Sequence, residues 1–342
     1  MIDQLSGRKL ITVKEIDGEE VYSVHRLLQE KIITEMDHAH LTDSFQGALT
    51  LVRRRYPTAS AIQVPEPEKW TNCNKYMRHV FSLHRALKDT NRVVPSLQLA
   101  ELFYDAGFHI WEQQTTAYDG LSFLKTAEEI LDTINHDQFG KIRADIHCIV
   151  GILNNGLGCR ERGESLRRQR AALKIREKIY SEVSPSDKDS DVLLANAAND
   201  LGICLLNQKS FEEAKPIFEN CFGRYCEWGT EEEIPFEYSK YYHNIAVILM
   251  WEGKLEDSIR SLRKATKLAG TYSAKMWQYW QTKFTLASVL LQAGDVQAAL
   301  DEHLEILAAR YELYGKHDQS TIASTYATGA MYYHLGDVPT AM

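Results

Sequence analysis

The chain has 342 residues, enough for two domains of ordinary size or for one long repeat array. Its 44% apolar and 25% charged residues, with only 8 prolines and 19 glycines, exclude a disordered or collagen-like chain. A net charge of -8 disfavours nucleic acid as a partner, and the longest apolar run, residues 245–251, is far shorter than the about 20 residues of a membrane-spanning helix. Because the N-terminus also lacks the apolar stretch of a secretory signal, we expect a cytoplasmic protein without nucleic-acid or membrane partners.

A β-hairpin followed by a helix is predicted near the N-terminus. Polarity alternates along KLITVKEIDGEEVYSV, residues 9–24, on both sides of Asp17-Gly18, a dipeptide typical of two-residue type I′ turns. The register of that turn gives three cross-strand pairs: Ile11 with Val24, Val13 with Tyr22, and Glu15 with Glu20. The helix is indicated by the spacing of Leu28, Ile32 and Ile33.

Two more helices are expected over residues 44–55 and 74–88. The segment between them, YPTASAIQVPEPEKW, is rich in proline, which cannot continue a helix. We interpret this segment as a transition between domains.

Internal repeats occupy the rest of the chain. Six copies each have two mostly small residues twelve positions apart, the first at Phe108, Gly151, Gly202, Ala246, Ala287 and Gly329, and the second at Gly120, Gly163, Ala214, Ser258, Ala299 and Ala341. Four copies have a turn glycine between them, at Gly158, Gly253, Gly294 and Gly336. Because small side chains let two helices approach closely, each copy predicts a helical hairpin.

The repeat pattern favours a tetratricopeptide-like array. The small residues and the aromatic Phe218 fit the tetratricopeptide signature, although the copies recur every 41 to 51 residues rather than about 34. HEAT repeats of about 40 to 47 residues are the competing architecture. The polar residues 181–191 are interpreted as an elongated loop. The predicted fold class is all-α, a tetratricopeptide-like right-handed α-solenoid of about six helical hairpins preceded by a small β-hairpin.

The sequence contains no motif of a known catalytic or metal site. Glycine-rich phosphate loops, G-x-S-x-G and H-E-x-x-H are absent, so we expect no catalytic residue, no cofactor and no metal. The six scattered cysteines are interpreted as reduced, small core residues. In DHAH, His38 and His40 would point to different faces of a helix, which favours a solvated helix end over a metal site.

The order of several short motifs resembles that of fungal NB-ARC or STAND-type signalling ATPases, which are NLR-like proteins. The hairpin leading into HRLLQ, residues 25–29, resembles the end of their winged-helix segment. The next block of that family carries a Tyr/Phe-Pro step, Trp, Cys and a His-Val pair, which this chain has in the same order at Tyr56-Pro57, Trp70, Cys73 and His79-Val80. The repeats, including RYELYGKHDQSTIAS, resemble the elongated tetratricopeptides of kinesin light chain. Together these resemblances cover nearly the whole chain.

The resemblance implies three parts in this chain: a winged-helix remnant at 1–36, a helical linker region at 37–95 and the repeat array at 96–342. The nucleotide-binding domain of the family would precede this segment, and the sequence has no G-x-x-x-x-G-K-[ST] loop, so no nucleotide binding is expected. The chain then resembles a sensor half without its ATPase. A truncated gene, a fragment and a stand-alone adaptor are the open alternatives.

Candidate partner-binding residues lie on the first helix of the hairpins, which lines the concave groove of tetratricopeptide folds. Polar side chains that could hydrogen-bond the main chain or a carboxylate of a partner are Asn196, Asn199, Lys240, His243, Asn244 and Gln281. Resemblance to kinesin light chain, whose groove uses asparagines on these helices, makes Asn199 and Asn244 the first choices. The alternative is that some of them are packing or capping residues inside the array.

A basic stretch provides a second candidate surface. Residues 160–178 hold eight basic and three acidic side chains, and Arg167, Arg170 and Lys174 share one face of the predicted helix. We interpret this face as solvated, with an anion or acidic-peptide contact as the alternative.

Two functions of different classes remain open at this point. The first is a non-enzymatic protein-protein interaction scaffold or ligand-sensing module, which binds a peptide or protein in the groove like the sensor half of an NLR-like signalling protein. The alternative is an enzyme or accessory protein of a fungal metabolic pathway. A groove lined by asparagines and aromatics favours the first, and a pocket with a convergent acid-base pair favours the second.

The last hairpin is expected to be incomplete, because the sequence ends at Met342 where its second helix should begin. The face bearing Ala330, Met331, Tyr332 and Leu335 would then be uncovered. Self-association through this hairpin is therefore expected.

Overall fold

The computed structural model describes residues 10–16, 19–90, 93–113, 116–134, 139–157, 162–183 and 187–341. Two antiparallel strands, β1 (Ile11–Ile16) and β2 (Glu19–Val24), form a hairpin at the start, and all the remaining elements within these ranges are helices. The predicted register is confirmed by the pairs Ile11 with Val24, Val13 with Tyr22, and Glu15 with Glu20. The Asp17-Gly18 turn lies outside the described residues.

Three helices precede the repeats. They are α1 (Arg26–Glu35), α2 (His38–Arg55) and α3 (Trp70–Thr90), so the three predicted helices are confirmed and the last two are longer than predicted. Asp37 caps α2, because its carboxylate accepts the main-chain N–H of His40, and this places DHAH at an exposed helix end as expected. The apolar faces of α2 and α3 share one core with the first repeats, so the segment 37–95 is packed against the array.

Six helical hairpins follow, as predicted. They are α4 (Leu97–Gln113) with α5 (Ala117–Ile134), α6 (Gly140–Gly156) with α7 (Arg162–Glu182), α8 (Lys188–Asn207) with α9 (Phe211–Trp228), α10 (Pro235–Trp251) with α11 (Leu255–Ser273), α12 (Trp277–Gln292) with α13 (Val296–Tyr314), and α14 (Gln319–His334) with α15 (Val338–Ala341). Consecutive helices pack against each other along the whole series. Since α7 ends at Glu182 and α8 begins at Lys188, the elongated loop predicted over residues 181–191 is wrong at both of its ends.

The turns inside the hairpins share one left-handed backbone position. Gly253, Gly294 and Gly336 adopt φ values of +76°, +87° and +83°, which glycine reaches without steric cost. Lys209 takes the same place in the third hairpin with φ +62°. The turn glycine is thus confirmed in three copies, while Gly158 lies outside the described residues.

The small residues bring the helices of a hairpin together. A Cβ added to Gly202 would lie 2.6 Å from Cε1 of Phe218, so the ring rests directly on the backbone of α8. In the fourth hairpin the buried Ser258 hydroxyl donates to the Ala246 carbonyl over 2.7 Å. Larger side chains at these positions would separate the helices.

Two of the predicted small positions are wrong. In the first copy the close approach occurs at Gly107, whose added Cβ would lie 2.6 Å from Cγ of Leu124, while Phe108 is a buried core residue. In the second copy Gly163 is exposed with open space around it, and the buried Ser165 donates to the Gly151 carbonyl instead. The interval of twelve residues fails in both copies because the turns of these hairpins differ in length.

The last hairpin exposes part of the predicted apolar face. Leu335 is exposed, whereas Ala330 and Tyr332 are half-buried and Met331 is buried. The exposed large apolar side chains of α14 itself are Ile322, Tyr326 and Tyr333. The expectation of an uncovered face is therefore confirmed for Leu335 and wrong for Met331, and self-association stays a prediction.

Four of the cysteines, Cys73, Cys148, Cys204 and Cys221, are buried and free, as predicted for core residues, whereas Cys226 is exposed. Within the described residues no helix is long and apolar enough to cross a membrane.

Candidate functional site

The inner groove is the face of the array formed by the first helices of the hairpins: α4, α6, α8, α10, α12 and α14. Residues 57–66, which connect α2 to α3, enter this groove and are here called the inner loop. The two ends of the loop contact α4, and the residues between them reach α8 and the end of α11. The segment interpreted from the sequence as a domain transition therefore lies within the candidate site.

Both ends of the inner loop are held by carboxylates of α4. Asp105 accepts the main-chain N–H of Ala59 over 2.9 Å, and Glu112 accepts that of Glu66 over 2.6 Å. The buried Asp105 is also ion-paired with Arg53 of α2. Burial raises the pKa of Asp105 to about 6, while Arg53 and the Ala59 N–H oppose this rise.

The tip of the loop is held by side chains that donate to its carbonyl groups. Asn196 of α8 donates its Nδ2–H to the carbonyl of Ile62 over 2.9 Å, and the Tyr272 hydroxyl donates to the carbonyl of Pro65 over 2.7 Å. Tyr272 is positioned by stacking on Phe236 of α10, with ring centroids 5.1 Å apart. All four of these contacts engage the main chain of the loop, so they do not depend on its side chains.

Gln63 is the deepest side chain of the loop. It is only 8% exposed, and its Nε2 lies 3.4 Å from the Tyr104 hydroxyl and 3.5 Å from the carbonyl of Asp145. Its φ of +57° is a left-handed conformation that few non-glycine residues adopt. The main-chain N–H of Gln63 donates to the Ser60 carbonyl, which closes the turn at the tip.

Asn196 and Lys240, two of the predicted binding residues, meet at the centre of the groove. Lys240 donates to Oδ1 of Asn196 over 2.8 Å, so the asparagine bridges the lysine and the inner loop. The Lys240 ammonium also lies 5.0 Å from the ring centroid of Phe236 and 5.7 Å from that of Tyr225. Asn196 thus bonds a main-chain carbonyl of its own chain, and the contact with a partner that was expected of it stays a prediction.

Asn199 and Asn244, the first choices from the sequence, pair with each other. Nδ2 of Asn244 donates to Oδ1 of Asn199 over 2.9 Å, and both side chains are buried. The pair joins α8 to α10. Their place in the structure matches the alternative in which some predicted residues pack inside the array.

His243 and Gln281 lie further along the array. Nδ1 of the half-buried His243 is 3.1 Å from the Thr282 hydroxyl, and burial lowers the pKa of His243 to about 4, which keeps the ring neutral at physiological pH. Gln281 is exposed, and its Oε1 accepts a long bond of 3.4 Å from Arg310. The structure therefore does not bring these two residues together with Asn196.

The basic face of α7 lies away from the groove contacts. Arg167 and Lys174 are exposed, as is Arg170, and Arg167 pairs with Glu164. Arg176 belongs to the same helix but is buried and ion-paired with Asp145 of α6. Residue type and helical spacing alone do not distinguish this buried arginine from the exposed ones of the same helix.

Asp200 is a further titratable group on α8, four residues after Asn196. Burial raises its pKa from 3.8 to about 7, although Lys240 and a hydrogen bond from Asn199 favour the charged form. A folded-state pKa above the unfolded value means that the contribution of Asp200 to stability is fully present below about pH 4 and is lost as the pH rises through 7.

We therefore expect Asp200→Asn to be more stable than the native chain by up to about 4 kcal/mol at pH 8 and nearly equal to it at pH 4. The measurement is the free energy of urea unfolding at both pH values. Asp189→Asn, at an exposed position of the same helix, is the control. A stability difference that does not change with pH would contradict the raised pKa of Asp200.

Several residues of the site were missed from the sequence. Asp105, Glu112 and Tyr104 stand within the otherwise apolar pattern of α4, and Tyr272 stands near the end of the polar helix α11, so their residue types alone do not mark them. The available signal was the interruption of the buried face of α4 by two carboxylates, which need partners when buried.

Comparison with known proteins supports the fold. No protein-family model and no curated protein matches the sequence. A Rap protein complexed with competence and sporulation factor is similar with a TM-score of 0.57 at 13% identity, over 92% of this chain and 88% of that one. The Rap conjugation gene regulator of a plasmid, in complex with the Phr* peptide, gives 0.51 at 16% identity, over 89% and 92%. A STAND protein with a tetratricopeptide repeat sensor from Pyrococcus horikoshii gives 0.49 at 14% identity, over 99% and 50%. The chain is an all-α, tetratricopeptide-like right-handed solenoid preceded by a two-stranded sheet.

Proposed function

We propose that this chain is a non-enzymatic scaffold or sensor that binds a peptide or a protein segment in its inner groove. The observation that carries the proposal is the inner loop, a non-helical segment that the groove already holds through its main chain. The loop main chain accepts hydrogen bonds from Asn196 and Tyr272, and it donates hydrogen bonds to Asp105 and Glu112. Side chains arranged in this way recognise extended or turning chain segments of varied sequence.

Two similar structures were solved with a bound partner. The Rap protein complexed with competence and sporulation factor and the Rap regulator in complex with the Phr* peptide share the fold at TM-scores above 0.5. Their identities of 13% and 16% support the fold alone, so the peptide ligand of this chain is proposed from its own groove.

The finer assignments are also proposals. We infer a cytoplasmic role as the sensor part of a STAND-type signalling protein of the fungal NB-ARC class, from the resemblance of HRLLQ and the motifs that follow it. We keep the divisions 1–36, 37–95 and 96–342 as the parts of such a sensor. The basic face of Arg167, Arg170 and Lys174 is a candidate anion or acidic-peptide contact outside the groove.

Selection of peptides from a random display library tests the function. We expect the full chain to enrich peptides whose affinity falls by at least about tenfold in Asn196→Leu with Lys240→Met, because about 1.4 kcal/mol of binding energy is lost with their polar groups. Fluorescence anisotropy with the enriched peptides gives the affinities, and circular dichroism checks that the variant keeps its helices.

The matched control changes the other candidate surface, with Arg170→Glu and Lys174→Glu on α7. These exposed side chains are expected to leave both the helicity and the peptide affinity unchanged. A loss of affinity in the α7 variant but not in the groove variant would contradict binding in the inner groove.

A further inference from the structure

The inner loop occupies the groove in the way that a bound peptide would. Its contacts come from α4, α8 and the end of α11, three elements that are far apart in sequence. The loop itself carries no charge from residue 57 to residue 65, and its sequence there is PTASAIQVP. The occupied groove is therefore lined by groups that recognise a backbone and is filled by a neutral segment.

The position of Gln63 indicates what kind of side chain the groove accepts. Both groups near its amide nitrogen, the Tyr104 hydroxyl and the Asp145 carbonyl, can accept a hydrogen bond, so a side chain that donates is needed at this depth. Two residues later the buried Pro65 presents its carbonyl to Tyr272. A donor side chain followed two positions later by proline is the pattern that this site fits.

The Gln63 side chain is held by longer hydrogen bonds than the main chain of the loop, whose bonds to the groove are 2.6 to 2.9 Å long. Gln63 has a left-handed backbone, its side-chain contacts are 3.4 and 3.5 Å long, and Ile62 and Val64 are only half-buried. By contrast, Glu66 at the end of the loop makes a 2.6 Å bond to Glu112. Prolines at 57, 65 and 67 keep the segment from joining the helices on either side.

We propose that the inner loop is an autoinhibitory occupant of the groove, and that a partner peptide binds by displacing its tip and taking over the hydrogen bonds at Asn196 and Tyr272. The ligand class is a neutral peptide segment with an amide side chain followed two positions later by proline. This inference rests on the proposed function, since it names the ligand and the regulation of the same groove.

Displacement has a quantitative consequence. A loop tethered at both ends competes at an effective concentration in the millimolar range, so a free peptide of the same sequence is strongly disfavoured. A peptide can bind only those molecules whose loop has left the groove. The apparent dissociation constant is therefore the intrinsic one divided by the fraction of such molecules. Removal of the loop therefore raises the affinity without any new contact.

The experiment uses a fluorescent peptide, PTASAIQVPEP, that copies residues 57–67. Its affinity is measured for the native chain and for a chain whose residues 59–65 are replaced by a Gly/Ser segment of equal length. We expect at least about 100-fold tighter binding to the replaced chain, reduced about tenfold when Asn196→Leu is added. A scrambled peptide of the same composition is the control and should bind the replaced chain more weakly, because it keeps the main-chain hydrogen bonds but loses the spacing between the amide and the proline.

Hydrogen exchange of the native chain is the second measurement, and it does not depend on how the replaced chain folds. The amides of Gln63 and Val64, which donate to Ser60 at the tip, should be protected in the free protein and should exchange faster when unlabelled peptide is added in millimolar excess. Equal peptide affinity for both chains, or unchanged protection of these two amides with the peptide bound, would overturn the displacement.

The two proposals fail in different ways. If the displayed peptides of the earlier experiment bind the groove equally well with and without the native loop, binding in the groove stands and autoinhibition is wrong. If no peptide binds the groove in either chain, the proposed function fails as well.

Discussion

Arg176→Ala should lower the free energy of unfolding by about 3–5 kcal/mol, because it leaves the carboxylate of Asp145 buried without its cation. Arg176 is 2% exposed and pairs with Asp145 across the second hairpin. Burial raises the pKa of Asp145 and Arg176 lowers it again, so without the arginine the carboxyl takes up a proton more readily. The loss measured by urea unfolding should therefore be smaller at pH 5 than at pH 8.

Two variants separate the buried ion pair from surface charge. Arg167→Ala removes an arginine of the same helix whose pair with Glu164 is exposed, and it should cost less than about 1 kcal/mol. Arg176→Met combined with Asp145→Leu replaces both charges by apolar groups and should recover most of the loss. A loss below 1 kcal/mol for Arg176→Ala would show that water reaches Asp145.

Phe218→Ala should cost about 3–5 kcal/mol through the cavity left between α8 and α9. The ring is fully buried, lies on the backbone of Gly202 and belongs to an apolar cluster with Leu205 and Ile248. The measurement is again urea unfolding followed by circular dichroism. Tyr326→Ala removes a ring that is 81% exposed and should change stability by less than about 0.5 kcal/mol.

A double-mutant cycle tests the contact with Gly202 directly. Alone, Gly202→Ala places a Cβ 2.6 Å from the Phe218 ring and should be destabilising. In the Phe218→Ala background the same methyl group enters the cavity and gains helix propensity, so it should be stabilising. The same sign in both backgrounds would contradict the close packing of the ring.

The repeated elements could be predicted because their signals are local. Alternation around residues 11–24 set the strand register, and the small residues of the repeats indicated hairpins whose helices the structure contains. The fixed spacing of small residues does not hold where the hairpin turns differ in length. In the second hairpin, for example, the small residue packed against Gly151 is Ser165 and not the predicted Gly163. Lys209 also could not be predicted, because its left-handed turn position is usually marked in a sequence by glycine.

The groove could be predicted only in part because its contacts depend on how the hairpins are stacked. Asn196 was identified by its residue type and its place on a first helix, but its bond to Ile62 requires the curvature of three hairpins. The pairing of Asn199 with Asn244 depends on the same stacking, since it joins two neighbouring first helices. A proline-rich sequence shows that a segment is not helical and does not show where it lies.

The inner loop also changes how the array should unfold. Helical repeats normally contact only their neighbours, so each can open almost independently. Here Ile62 and Asn196 are 134 residues apart, and Pro65 and Tyr272 are 207 residues apart. These bonds link the first, third and fourth hairpins through one segment, whereas the fifth and sixth have only neighbour contacts among those described. The first four hairpins are thus joined into one cooperative unit, and the end of the array formed by α12 to α15 is left to open on its own.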